Sequence, residues 1–273
     1  MRRYAKHYRR SERETKSSMP LLALKVLMSG ALVGSATFVQ RRFGNRASGF
    51  LVGLPITTAP YLLLVAIEHG SQFTAQSAEG VLKGQISLVI FIAAYVNAPG
   101  AWKWWQTLGS ATMLCLFVTL ILTSRPIPSL VTFAALAVVW LLAVKLWPPT
   151  EYETVMPERT WLEMPVRIIA TLAILVGLTW LAPKLGAALS GGLATLPVIS
   201  IVLCGTAHRM FGPLGPRQFL RGLLISLPGS TAFSLTVSLL APKMDKYLAL
   251  GIALGLTFAV ATWQFRYLRF GRT

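Results

Sequence analysis

Long apolar stretches alternate with short polar, glycine- or proline-bearing punctuators along the whole chain. The apolar stretches predict helices near 20–39, 47–68, 76–97, 102–123, 128–147, 162–182, 187–207, 217–240 and 246–265. Each is close to the ~20 residues that a bilayer crossing needs. Between them lie Arg41-Arg42-Phe43-Gly44-Asn45-Arg46, Asn97-Ala98-Pro99-Gly100, Arg125-Pro126 and Pro148-Pro149, all turn or breaker signals. The longest polar connection runs from Pro148 to Arg159, carries three of the nine acidic residues and reads as a hinge between two halves. The pattern predicts an all-α, polytopic integral membrane protein of about nine transmembrane helices.

Displaced by 142 positions, the chain matches itself without a gap. Gly44, Ser48, Gly49, Leu51, Leu54 and Pro55 fall on Gly186, Ser190, Gly191, Leu193, Leu196 and Pro197. The register continues through Gly70 on Gly212, Gln76 on Gln218, Gly80 on Gly222 and Phe91 on Phe233. It reaches Leu108-Gly109 and Ala111 on Leu250-Gly251 and Ala253, and in the first helix it sets Lys25 on Arg167. The expected organisation is a basic tail (1–19), a four-helix unit (20–123), a linker helix with a polar loop (124–161) and a second four-helix unit (162–273). The span at 128–147 has no counterpart, so the second unit is expected to enter the bilayer from the opposite side. That is a four-plus-one-plus-four inverted-topology repeat, an architecture that places sites between its halves.

Composition agrees with this reading. Hydrophobic residues make up 54% of the chain and mean hydropathy is +0.61. Charged residues make up 13%, against roughly 25% in soluble domains. The net charge of +17 suggests nucleic acid until its distribution is followed: the basic residues sit in tails and connections, where they meet headgroups. The expected partners are therefore anionic membrane lipids and a small solute, with homo-oligomer contacts compatible and nucleic acid disfavoured. Seven Lys/Arg precede the first span, which predicts a cytoplasmic N-terminus in a plasma (inner) membrane. Nine crossings then leave Arg266, Arg269 and Arg272 outside, so the loop charges are nearly balanced. The basic start followed by an apolar run is read as the first repeat helix rather than a cleaved signal.

Each unit resembles the GlpM family of small four-helix inner-membrane proteins. The likeness rests on the small-residue–Gly–x–Leu–x–x–Leu–Pro turn (Ser48–Pro55, Ser190–Pro197), on Ala207-His208 followed by Gly212, and on the glycine-bearing third helix. It covers both units, and it departs at Ala66, which stands where the second unit has His208. The resemblance implies a fold more than an activity. In architecture the chain is also similar to fused dual-topology channels and small multidrug transporters.

Candidate chemistry concentrates on the second helix of each unit. Gly49-x-x-x-Gly53 and Gly191-x-x-x-Thr195 are small-residue faces that let backbones approach in lipid, and they carry Ser48 and Ser190. Pro55 and Pro197 follow, each removing a helix hydrogen bond, and then come the hydroxyls of Thr57, Thr58 and Ser200. A broken helix here exposes dipole ends and hydroxyls to a solute; the alternative is a kinked packing helix whose hydroxyls repair its own backbone. Lys25 and Arg167 lie several residues inside their helices, where they either face an anion path or snorkel to headgroups. His208 is either a proton shuttle or a residue at headgroup level.

Other features narrow the classes. None of the nine acidic residues falls in the middle of a predicted span, which disfavours proton-coupled cation export. Glu68-His69 lacks a third ligand, no catalytic motif is found, and Cys115 and Cys204 read as small buried hydrophobes. Trp102, Trp104 and Trp105 read as an interfacial belt. The sequence therefore predicts no enzyme, cofactor or metal. It predicts a transporter or channel for a small anionic or amphiphilic solute bound between the halves. Its alternative is a non-transporting accessory protein that binds lipid or a partner subunit.

Overall fold

Glycine, proline and a few polar caps cut the apolar sequence into its helices. A computed structural model describes residues 45–55, 58–148, 169 and 186–270. These form α1 (Asn45–Gly53), α2 (Thr58–Val96), α3 (Trp104–Thr123), α4 (Ser129–Lys145), α5 (Ala187–Ala194), α6 (Val198–Phe211), a 3₁₀ turn (Gly212–Leu214), α7 (Arg217–Leu240) and α8 (Lys246–Phe270), with no strand among the described residues. At the start of α3 the Lys103 N–H donates to the Gln106 side chain at 2.9 Å. At the start of α8 the Asp245 carboxylate accepts from the N–H groups of Tyr247 and Leu248. Both satisfy donors that a helix terminus leaves unpaired. Proline precedes α4 at Pro128 and follows it at Pro148.

Four helical stretches among the described residues are long and apolar enough to cross a membrane: 49–96, 104–123, 217–240 and 246–264. α4, at 17 residues, is shorter. The expected nine crossings are therefore not found among the described residues, where four helices are long and apolar enough. The stretches expected at 47–68 and 187–207 are each divided, into α1 with the start of α2 and into α5 with α6. The start of α2 and the stretch expected at 76–97 run on as one helix kinked at Gly70. The stretches expected at 20–39 and 162–182 lie outside the described residues, apart from Ile169.

Two glycines 142 positions apart share one backbone conformation. Gly70 has φ 80° and ψ −177°, and Gly212 has φ 71° and ψ −167°, a region closed to side-chain-bearing residues. At both sites the chain turns from one helical segment to the next, and an added Cβ would meet nothing. Only backbone conformation therefore demands glycine there.

Packing between the two sets of helices is reciprocal. Gly49 on α1 abuts the carbonyl of Phe219 on α7, and Gly191 on α5 abuts the carbonyl of Ser77 on α2. Gly53 abuts the Ser226 hydroxyl, and Gly84 abuts the Thr195 hydroxyl. In each case one contact maps onto the other under the 142-residue shift, as at a two-fold interface. α2 and α7 lie at the centre and run antiparallel. Arg217, first in α7, donates to the carbonyl of Val96, last in α2, while Gln85 and Ser230 meet halfway along both helices.

The core and surface are arranged as a lipid environment requires. α3, α4 and α8 expose Met113, Phe117, Leu130, Leu141 and Phe258, whereas Gln85, Ser87, Ser230, Thr231 and Ser234 are buried. In hydrocarbon there is no drive to hide apolar groups, but polar groups must find partners inside. One internal proline shows this directly. Pro228 in α7 cannot donate to Leu224, and the Trp140 indole on α4 donates to that carbonyl at 2.7 Å. Gln264 of α8 donates to the next carbonyl, Ile225, at 2.8 Å.

Candidate functional site

The two helix breaks have matching hydrogen bonds. Pro55 and Pro197 would have bonded the carbonyls of Leu51 and Leu193 if they had N–H groups. Those carbonyls instead accept tighter bonds from Leu54 (3.2 Å) and Leu196 (3.0 Å). The proline carbonyls then start the next helix, accepting from Ala59 at 2.8 Å and Ile201 at 2.6 Å. Both prolines are buried. Each break lies beside the α2–α7 crossing: the first against Ser226 one turn from Ser230, the second against Gly84 next to Gln85.

Hydroxyls and one amide fill that crossing. The Gln85 amide donates to the hydroxyls of Ser230 (3.0 Å) and Ser234 (3.4 Å), and its oxygen accepts from Thr231 at 3.1 Å. Thr231 and Ser234 also have intrahelical contacts, to the carbonyls of Leu227 and Ser230. The amide is thus fully engaged, which makes it an interhelical tie first.

Of the residues singled out from sequence, Thr58 and Ser200 occupy matching places just after the two breaks, and both are buried. The Thr58 hydroxyl has no hydrogen-bond partner among the described residues. α6 begins at Pro197 without a side-chain cap. Ser190 on α5 is joined to α2: the Tyr61 and Ser190 hydroxyls lie 2.8 Å apart, and Ser190 also donates to the Ala187 carbonyl. Ser48 belongs to α1. Lys25, Thr57 and Arg167 lie outside the described residues.

His208 is buried, at 6% exposure, rather than turned to headgroups. Its Nδ1 lies 3.0 Å from the Tyr95 hydroxyl, and the rings meet edge to face at a centroid distance of 5.9 Å. The Tyr95 hydroxyl is also 3.3 Å from the Cys204 carbonyl. The first unit has Ala66 at the corresponding place, and there Lys246 donates to the Ala66 carbonyl at 2.6 Å.

Sequence reasoning passed over Lys83. It is 2% exposed, donates to the Arg125 carbonyl at 2.8 Å, and pairs with Glu79 at 3.0 Å. Its signal was a lysine inside an apolar run with a glutamate four residues before it. Position 225, 142 residues on, is isoleucine, so the ion pair does not recur at that spacing. Elsewhere the charges form no metal cluster among the described residues. Glu68 lies 3.8 Å from His69, which stacks on Phe73. Cys115 and Cys204 are buried free thiols in one apolar cluster. Trp102, Trp104 and Trp105 are exposed around the α2–α3 turn.

No family profile, no curated protein and no solved structure matches the chain.

Proposed function

We propose that the two units are an inverted-topology repeat of four helices each around a linker helix, and that they carry a small anionic or amphiphilic solute across the plasma (inner) membrane. The antiparallel course of α2 and α7 and the reciprocal glycine contacts support the inversion. The likeness of each unit to the GlpM family belongs to the same proposal, as does a cytoplasmic N-terminus.

One observation carries the transport reading: α2 and α6 each begin at a break beside the central crossing, and each has a buried hydroxyl in its first turn. The Thr58 hydroxyl is 4% exposed and unpartnered among the described residues. A helix N-terminus carries partial positive charge, and discontinuous membrane helices use such ends to hold anionic groups. Lys25 and Arg167 enter this reading as the basic residues that draw an anion in from either face.

Anion flux into proteoliposomes, measured with chloride, inorganic phosphate and acetate, tests it. Wild type is expected to conduct at least one of these. Thr58→Val and Ser200→Ala should each lower that flux roughly tenfold, the scale of one hydrogen bond to a charged group. The second reading, an accessory protein, is favoured by the tight glycine contacts, which leave no room for a solute at those four positions. Absence of flux in wild type selects it.

A further inference from the structure

A crevice of about 180 Å³ lies between the last turns of α2 and α4, lined by Val89, Ile92, Val96, Val139, Leu142 and Trp147 among others. Its wall is apolar, and a dry cavity of ~150 Å³ already holds a benzene-sized apolar guest. Two buried N–H donors border the same end of the bundle without partners among the described residues: the Trp147 indole N–H and the Arg217 Nε–H. Arg217 otherwise makes one long bond, from Nη2 to the Val96 carbonyl at 3.5 Å. No carboxylate pairs with it among the described residues.

The helix directions bring these donors together. Trp140 of α4 contacts Leu224 of α7. α4 runs alongside α2 towards its C-terminal end, whereas α7 starts there. α4 and α7 are therefore antiparallel. Trp147 lies two turns beyond Trp140, and Arg217 two turns before Leu224, so both sit at one level, beside Val96. The result is an apolar crevice lined by Trp147, with the Arg217 guanidinium on the carbonyl of its lining residue Val96, and with an outer wall, α4, that exposes Leu130, Val138 and Leu141.

We infer that this crevice is a binding site for one anionic phospholipid, with an acyl chain against α2 and α4 and its phosphate and ester oxygens accepting from Arg217 and Trp147. Charge selects the headgroup: a guanidinium with no carboxylate beside it among the described residues, in a low-dielectric setting, favours a net negative lipid over a zwitterion. Apolar length selects a lipid over free phosphate, because most of the site contacts hydrocarbon. The site is separate from the helix breaks, so it holds whether or not the chain transports a solute.

Native mass spectrometry of the full chain in detergent, titrated with dioleoyl phosphatidylglycerol, dioleoyl phosphatidylcholine or inorganic phosphate, tests the inference. Wild type should retain one phosphatidylglycerol in preference to phosphatidylcholine. Arg217→Gln should weaken phosphatidylglycerol roughly tenfold and abolish the preference, as loss of one charge-assisted bond requires. Trp147→Phe should weaken it less. Ala143→Phe, which fills the crevice without changing charge, should lower lipid binding while Arg217→Lys keeps most of it. Those last two variants keep the test valid if Arg217→Gln does not fold. Equal binding of the two lipids, unchanged affinity in Ala143→Phe, or displacement of the lipid by inorganic phosphate would each overturn the inference.

Discussion

The indole of Trp140 donates to the carbonyl of Leu224, the acceptor that Pro228 leaves empty one turn later in the same helix. Linker helix α4 is thereby tied to α7 by repair of a proline break. A polar group left unpaired in hydrocarbon is costly, so the bond is a structural requirement of the proline. Trp140→Phe should lower stability by about 1–2 kcal/mol, measured by unfolding in mixed micelles. Replacing Pro228 with alanine restores the intrahelical donor, so the same Trp140→Phe change in that background should cost much less. An equal cost in both backgrounds would show that ring packing, not the hydrogen bond, is what the indole supplies.

Gly191 and Gly49 meet the carbonyls of Ser77 and Phe219 with no space for a side chain. Gly191→Leu and Gly49→Leu should therefore force helices apart, with losses above about 2 kcal/mol or failure to fold. Because the two contacts are equivalent, the two variants should fall by similar amounts. Thermal unfolding in detergent reads this directly. A melting temperature unchanged in either variant would contradict the close approach.

Gly70 and Gly212 make a different demand. Nothing lies near an added Cβ at either position, so Gly70→Ala and Gly212→Ala probe backbone strain alone. Each should cost about 1–3 kcal/mol, the price of a side chain at φ near +75° with ψ near 180°. D-alanine, introduced by semisynthesis, fits that conformation and should recover most of the loss. Failure of D-alanine to recover stability would point to a role beyond conformation.

The course of α2 against α7 leads to a topological expectation. Single cysteines at Asn45 and Ala187, in a background with Cys115 and Cys204 replaced by alanine, should react with impermeant maleimide from opposite sides of the membrane. Labelling of both from one side would remove the inverted repeat from the proposal.

Lys83 links α2 to the turn after α3 through the Arg125 carbonyl, with Glu79 as its charge partner. Removing the carboxylate leaves a buried cation. Glu79→Gln should thus destabilise the protein more than Lys83→Met, which removes the cation and its desolvation together. Denaturant titrations of the two variants give the comparison, and a larger loss in Lys83→Met would show that the bond to Arg125 dominates.

Much of the architecture was legible in the sequence because its causes are local. Proline lacks a donor and glycine alone tolerates the turn at Gly70 and Gly212, so breaks and kinks recur wherever Pro55/Pro197 and Gly70/Gly212 recur. The apolar runs similarly mark the membrane-capable helices. The lengths of single crossings were less legible. Hydropathy is continuous across Leu54–Thr58 and Leu196–Val198, whereas hydrogen bonding is not.

Only the tertiary structure decided which helix meets which. That Gly49 serves α7 and not its own neighbour α2, that Trp140 reaches Leu224, and that His208 turns inward to Tyr95 all depend on side chains distant in sequence. Lys83 shows the limit most clearly. Its charge and its Glu79 partner are readable from spacing, but its burial depends on the Arg125 turn folding over it. Sequence by itself determined that the chain is all-helical with apolar, membrane-capable segments, because that follows from hydropathy and backbone chemistry. The partners were decided by helices packing in three dimensions, where buried polar groups such as the Gln85 amide, the Tyr95 hydroxyl and the Trp140 indole meet a donor or acceptor on another segment.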